Sequence, residues 1–257
     1  MDLGLRDRVA LVCASTGGLG LATARALAAE GASVVVNGRR GELAAKVASE
    51  LPDAVGIGAD LTRPSAAGEI VTAAMARFGR IDILILNGPG PTPATAQEMD
   101  AAAAEDAFRL LLAPHVELIR RVLPGMRERG WGRITAIGSS GIVAPLPKLV
   151  ASNVGRSALA AYLKTLAGEV AADGITVNVL VPGRIATDRA VALDAAAAKR
   201  AGQEVGQVRQ ASESQIPAAR YGRPEEFASV AAFLSSEPAS YVTGTIVRCD
   251  GGYISSL

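Results

Sequence analysis

Residues 12–31 read VCASTGGLGLATARALAAEG, and this stretch decides the fold. A short apolar run from Arg8 to Cys13 enters a turn carrying Gly17, Gly18 and Gly20, and an Ala/Leu-rich segment of helical spacing, Leu19 to Glu30, leaves it. Glycines at such a turn let the backbone bend sharply, come close to a phosphate and pack the next helix tightly on the strand. The start of that helix favours negative charge. A glycine cluster alone also suits an ordinary tight turn; its place straight after the first strand is what points to a dinucleotide phosphate.

Outward from this turn the same alternation continues. Ser33 to Asn37, Val55 to Ala59, Ile81 to Leu86, Arg133 to Gly138, Thr176 to Val181 and Thr245 to Arg248 are short runs rich in Val, Ile and Leu, suited to strands buried on both faces. Between them lie segments with helical spacing, among them Ala66 to Phe78, Glu105 to Arg129 and Pro224 to Leu234. Strand and helix in alternation predict an α/β, Rossmann-like, doubly wound and mainly seven-stranded parallel sheet with helices on both faces. Ligands of such a sheet bind beyond the carboxyl ends of the strands. No charged or Pro/Ser-rich linker divides the 257 residues, which predicts one domain over 1–257. The polar, helical tract 188–215 interrupts the alternation, and the wider segment 184–220 is expected to act as a lid within that domain.

Composition narrows the partners. Lys and Arg number 26 against 25 Asp and Glu, a formal charge of +1 that offers no broad basic field for nucleic acid or an anionic membrane, so a small molecule is expected. The start, MDLGLRDRVALV, has too short an apolar run for a span and no cleavage region of a signal peptide. A cytoplasmic protein with Cys13 and Cys249 as reduced, buried thiols is expected, with no metal site.

The second apolar run ends in NGRRGEL, residues 37–43. An acid at this strand end would hold both ribose hydroxyls of an adenosine; here Gly38 stands there, with Arg39 and Arg40 beside it. Two planar guanidiniums suit a 2′-phosphate, which points to NADP(H) rather than NAD(H), the alternative being a solvated charge pair in a turn.

With these pieces in place the chain resembles the short-chain dehydrogenase/reductases, and within them the 3-oxoacyl-carrier-protein reductases. The likeness runs through ADLT at 59–62, IDILILNGPG at 81–90, GRITAIGSS at 132–140, TVNVLVPGRIATDR at 176–189 and GRPEEFASVAAFLSSEPASYVTGTIVRCDGG at 222–252. It implies that Ser15, Thr16, Gly18 and Leu19 line the phosphate turn and that Asp60 and Leu61 lie against the adenine. It implies too that Asn87 and Gly88 follow the cofactor's middle and that Pro182, Gly183, Ile185 and Thr187 hold its nicotinamide end. A homotetramer built partly from the helices 105–129 and 152–172 is likewise implied.

The resemblance fails where the chemistry should be. The family uses a serine, a tyrosine thirteen positions on and a lysine four further; here those positions hold Ser139, Ser152 and Arg156. None of Tyr162, Tyr221, Tyr241 and Tyr253 has a lysine four residues later, so no shift of alignment restores the motif. The family's helical asparagine falls on Leu111, and the first glycine of its turn is Ala14. An arginine at 156 keeps a permanent cation for ribose hydroxyls. A serine at 152 is a far weaker acid than a phenol, and it is also suited to capping the helix that follows. His115, one turn after Leu111, and Lys148, in the loop before Ser152, are the other candidate proton donors; packed and solvated roles compete with that reading. The expected function is an NADP(H)-dependent carbonyl reductase or alcohol dehydrogenase with an atypical site, or an NADP(H)-binding regulator that has lost turnover. A lyase or isomerase is the weaker third class. Ile142, Val143, Leu146 and Leu149 predict an apolar substrate wall.

Overall fold

Branched aliphatic side chains favour extended backbone, and each apolar run becomes a strand. The computed structural model describes residues 1–256. Its strands are β1 (Val9–Val12), β2 (Ser33–Gly38), β3 (Ala54–Gly58), β4 (Ile83–Leu86), β5 (Gly132–Ile137), β6 (Ile175–Pro182) and β7 (Ile246–Cys249). All neighbours run parallel in the order β3-β2-β1-β4-β5-β6-β7, as expected of a doubly wound sheet. The order reverses between β1 and β4, which opens a crevice beyond their carboxyl ends.

The helices are α1 (Gly18–Ala29), α2 (Gly41–Ser49), α3 (Ala66–Phe78), α4 (Ala101–Leu111), α5 (Ala113–Glu128), α6 (Val150–Val170), α7 (Asp188–Ala201), α8 (Val205–Glu213) and α9 (Pro224–Leu234). Because strand side chains alternate, β1 sends Leu11 into one core and Ala10 and Val12 into the other. The first core lies under α3, α5 and α6; the second lies under α1, α2 and α9. Among the described residues no helix is long and apolar enough to cross a membrane.

Two helical expectations need correction. The predicted single helix over 105–129 is broken at Leu112 into α4 and α5. Pro114 in the first turn of α5 has no N–H to return to the preceding turn, and its ring would crowd the carbonyl there, so the axis changes direction. Ser152 does not cap α6: the helix starts earlier, at Val150, with Leu149 as its unbonded cap residue, which leaves the Ser152 hydroxyl free of that duty.

The amino ends of the strands are closed by paired charges. Buried Asp82 accepts from the Val9 N–H at 3.0 Å, from Arg80 at 2.8 Å and from Arg129 at 3.1 Å. Arg133, 1% exposed, donates to the carbonyls of Ser236, Gly132 and Gly174. The Trp131 ring lies between the guanidiniums of Arg8 and Arg133, 3.8 and 4.3 Å from its centre, and its Nε1 donates to Glu237 at 2.6 Å.

Candidate active site

The phosphate turn is held from both neighbouring strands. Asn37 at the end of β2 accepts from the Ala14 N–H through Oδ1 at 3.3 Å, and Asn87 beyond β4 donates through Nδ2 to the Ala14 carbonyl at 3.2 Å. Ser15 is fully buried, its hydroxyl donating to Val12 at 2.7 Å and accepting from the Asn37 N–H at 3.0 Å, so this side chain supports the turn from behind. Cys13 is buried as well, and burial pushes its thiol up to about 12. Cys249 is only partly buried, which corrects the expectation for that thiol; neither cysteine is bonded to another.

A side chain at Gly20 would collide with the Ala14 carbonyl and stand 3.0 Å from Asn87 Nδ2, so α1 packs here only as glycine. Gly18 has φ of +55°, and Thr187 Cγ2 stands 3.9 Å from where its Cβ would be. Leu19 follows as the second residue of α1. Ala14 itself holds φ of 45°, a left-handed conformation that costs an alanine. The first turn of α1 has no acidic residue and no side-chain cap bond, so its N–H groups are left for an anion.

At the carboxyl end of β2, a Cβ on Gly38 would lie 2.5 Å from Thr16 Cγ2 and 2.9 Å from its Oγ1. An acid therefore has no room at that position. Arg39 and Arg40 are exposed, and among the described residues neither has a carboxylate within 4.0 Å. Asp60 lies nearby, its carboxyl held below the usual range first by the Thr62 N–H at 3.0 Å, with lesser help from the Thr62 hydroxyl, Arg39 and Arg63. Leu61 beside it is buried. The glycine cradle, the bare helix start and two free guanidiniums fit an NADP-type nucleotide.

The reacting end lies beyond β5 and β6. Ser139 Oγ accepts from the Gly141 N–H at 3.2 Å, which leaves its own proton to donate. Asn153, which the sequence reading passed over, pins the loop above: its Nδ2 donates to the Leu146 carbonyl at 2.9 Å, and its Oδ1 accepts from the Leu146 N–H at 3.3 Å. A backbone bridge between Ala94 and Leu149 ties this loop to the one after β4. Only the tertiary pairing identifies Asn153, since nothing in its local sequence marks it.

Ser152 is half-buried and has no hydrogen-bond partner among the described residues. Arg156 is half-buried one turn on, and its Nη1 donates to the Ile137 carbonyl at 3.0 Å. Burial, and to a lesser degree the charge of Arg189, lowers its guanidinium to about 10, so it is a cation at neutral pH. Leu111 takes the asparagine's place as a buried apolar side chain, and α6 meets it through Gly155, where a Cβ would lie 2.8 Å from Leu111 Cδ1.

Pro182 ends β6. Gly183 faces the Asp250 backbone so closely that a Cβ would lie 2.6 Å from Asp250 Cα. Ile185 bridges to Gly222, and Thr187 caps α7 by accepting from the Ala190 N–H at 3.3 Å.

Neither alternative donor stands well for proton transfer. His115 is 3% exposed; its Nδ1 donates to the Leu111 carbonyl at 2.9 Å, and its ring packs beside Gly88 with Nε2 3.5 Å from the Asn87 carbonyl. Burial lowers its proton affinity, so the ring is neutral with its N–H already committed. Lys148 is exposed, with φ of 59° in the pinned loop. The tyrosines do not fill the gap either. Tyr221 donates to Asp194 at 3.0 Å, Tyr241 is fully exposed, Tyr253 packs on the Ile216 cluster, and Tyr162 lies ten residues further along α6, about 15 Å away.

A family model described as Enoyl-(Acyl carrier protein) reductase matches residues 13–254. The chain is 33% identical to the D-beta-hydroxybutyrate dehydrogenase of Cupriavidus necator, over 97% of its own length and 99% of that protein. It is 31% identical to the 3-oxoacyl-[acyl-carrier-protein] reductase of Aquifex aeolicus, over 98% and 99%. The crystal structure of L-sorbose reductase from Gluconobacter frateurii, complexed with NADPH and L-sorbose, superposes with a TM-score of 0.95 at 32% identity, covering all of both chains.

Proposed function

Because the chain belongs to the short-chain dehydrogenase/reductase family, we propose that it is an NADP(H)-dependent carbonyl reductase or alcohol dehydrogenase in which Ser152 and Arg156 replace the usual tyrosine and lysine. The observation that carries the cofactor choice is the end of β2, where Thr16 leaves no room for an acid at Gly38 and two guanidiniums stand unpaired. A relative solved with NADPH supports the same choice.

When bound, NADPH would supply the hydride that a carbonyl carbon accepts. Ser139, already accepting from Gly141, donates its proton toward the carbonyl oxygen, where the π electrons collect. Arg156 meets ribose hydroxyls with the N–H groups not given to Ile137. Ser152, half-buried and so within reach of solvent, holds a water that passes its proton to the alkoxide and takes a replacement proton from bulk water, giving the alcohol. Without a positioned phenol the step runs about a hundred- to ten-thousandfold below a tyrosine-bearing site. Segment 184–220 serves as the lid, latched by the Tyr221 bond to Asp194, and the chain works as a homo-oligomer, a tetramer on the family's pattern.

Titration with NADPH and NADH by fluorescence, followed by NADPH loss over a panel of ketones, quinones and acyl thioesters, tests the reading. Tight NADPH binding without turnover on any of them favours the second reading, an NADP(H)-binding regulator, which the committed or distant tyrosines recommend. Activity appearing only in Ser152→Tyr with Arg156→Lys would establish that second reading.

A further inference from the structure

The oxidoreductase reading leaves one cation of the crevice without a task. Arg189 lies in the first turn of α7, two residues past the Thr187 cap, and its guanidinium reaches across to the loop after β4. Gly90 makes room for it: a methyl carbon there would collide with Nη2 and lie 2.8 Å from Cζ. Among the described residues Arg189 has no ion pair or hydrogen bond. Asp194, five residues along α7, accepts from Tyr221 and stands 3.8 Å from Arg184. Asp188, its chain neighbour, faces another side of the helix.

The Arg189 guanidinium lies against Gly90, not against a residue of the phosphate turn. Thr187 and Asn87 mark that turn, by their approach to Gly18 and Ala14. Gly90 lies three residues beyond Asn87, on the loop that bridges through Ala94 to Leu149, just ahead of Ser152. Arg156, anchored to Ile137, is the other cation of this end and also lacks a carboxylate. Arg189 is exposed and Arg156 half-buried, and the charge of the first is felt at the second; like charges repel, and an anion held by the exposed guanidinium relieves the cost.

We propose that the substrate carries a carboxylate, received by the Arg189 fork beside Arg156, so that the protein acts on oxo acids or their hydroxy-acid counterparts in preference to neutral carbonyl compounds. A planar guanidinium meets a carboxylate with two parallel hydrogen bonds, which fixes the carbonyl's orientation as well as its charge. The substrate class rests on the oxidoreductase reading of this site; the anion preference is measured without turnover.

The test is calorimetric titration of the full chain with NADP+ bound, using pyruvate, acetoacetate and levulinate, each against its methyl ester. At least one acid binds about thirtyfold more tightly than its ester; Arg189→Met brings the ratio to about one, and Arg189→Lys restores part of it. NADP+ affinity changes by less than about twofold in both variants. The proposal is overturned if no acid outbinds its ester, if Arg189→Met keeps the preference, or if Arg189→Met weakens NADP+ while the ratio stands, which would make the arginine a cofactor phosphate ligand. Acid preference without NADPH consumption removes the reaction and leaves the anion site. If NADP+ does not bind, the oxidoreductase reading falls, and the same titration on the free chain decides the preference.

Discussion

The two ends of the sheet treat charge in opposite ways. At the amino ends Asp82 is met by Arg80, Arg129 and a backbone N–H, while Arg133 is met by three carbonyls and the face of Trp131. At the carboxyl ends Arg39, Arg40, Arg156 and Arg189 stand without a carboxylate among the described residues. A buried charge is tolerated only with partners. Those of the amino end come from the chain itself and serve the fold. At the carboxyl end Arg39, Arg40 and Arg189 are exposed and need no partner from the chain, and what is specified there is shape: glycines at 18, 20 and 38, and a strained Ala14.

The sharpest way to break this contrast is Asp82→Ala. Stripping one acid from two arginines and a backbone donor should cost about 3–5 kcal/mol in urea unfolding, with NADPH affinity of the folded protein unchanged. Unfolding as stable as the wild type would show that the amino end is not a structural lock. Arg39→Ala should do the reverse: NADPH binding weakens about thirtyfold, NADH binding by less than about twofold, and unfolding moves by no more than about 0.5 kcal/mol. Equal loss for both cofactors would end the phosphate assignment.

His115 sharpens the contrast through pH. Burial lowers its folded-state proton affinity below the ordinary value of 6.5, so below that pH the unfolded chain takes up the proton first. Stability should therefore fall as pH drops through 6.5, by at most about 1.4 kcal/mol per unit, until the buried ring itself titrates. In His115→Gln that part of the acid limb should flatten, while the loss from Glu117 and Glu226, held low by arginines, persists below 4.5. An unchanged limb above 4.5 would show that His115 titrates alike in both states. The smallest effect is expected of Ala14→Gly, which relieves a left-handed alanine and should add about 0.5–1 kcal/mol, read as a raised melting temperature. A drop would mean that the turn adapts to the methyl group.

Much of this is legible along the chain because it depends on near neighbours. Strand period, glycine spacing and the RR pair are local patterns, and the predicted spans of α3 and α9 agree with the structure to the residue. What escapes is whatever crosses between elements. Pro114 alone does not tell whether a helix bends or ends; the break at Leu112 appears once α5 must lie against the sheet and α4 against α6. Asn153 clamps Leu146, and Arg189 reaches Gly90, through contacts set by how loops from different strands converge.

The sequence by itself determined a doubly wound parallel sheet, a dinucleotide turn, a bias toward a phosphorylated ribose and the absence of the tyrosine–lysine pair, since each is written in residue type and spacing. Only the tertiary structure decided that Gly38 excludes an acid by the place of Thr16, that His115 is sealed and neutral, and that the Arg189 guanidinium lies against Gly90. The physical reason is that burial, collision and charge repulsion depend on distances between groups far apart in the chain, and those exist only once the sheet has brought its carboxyl ends together.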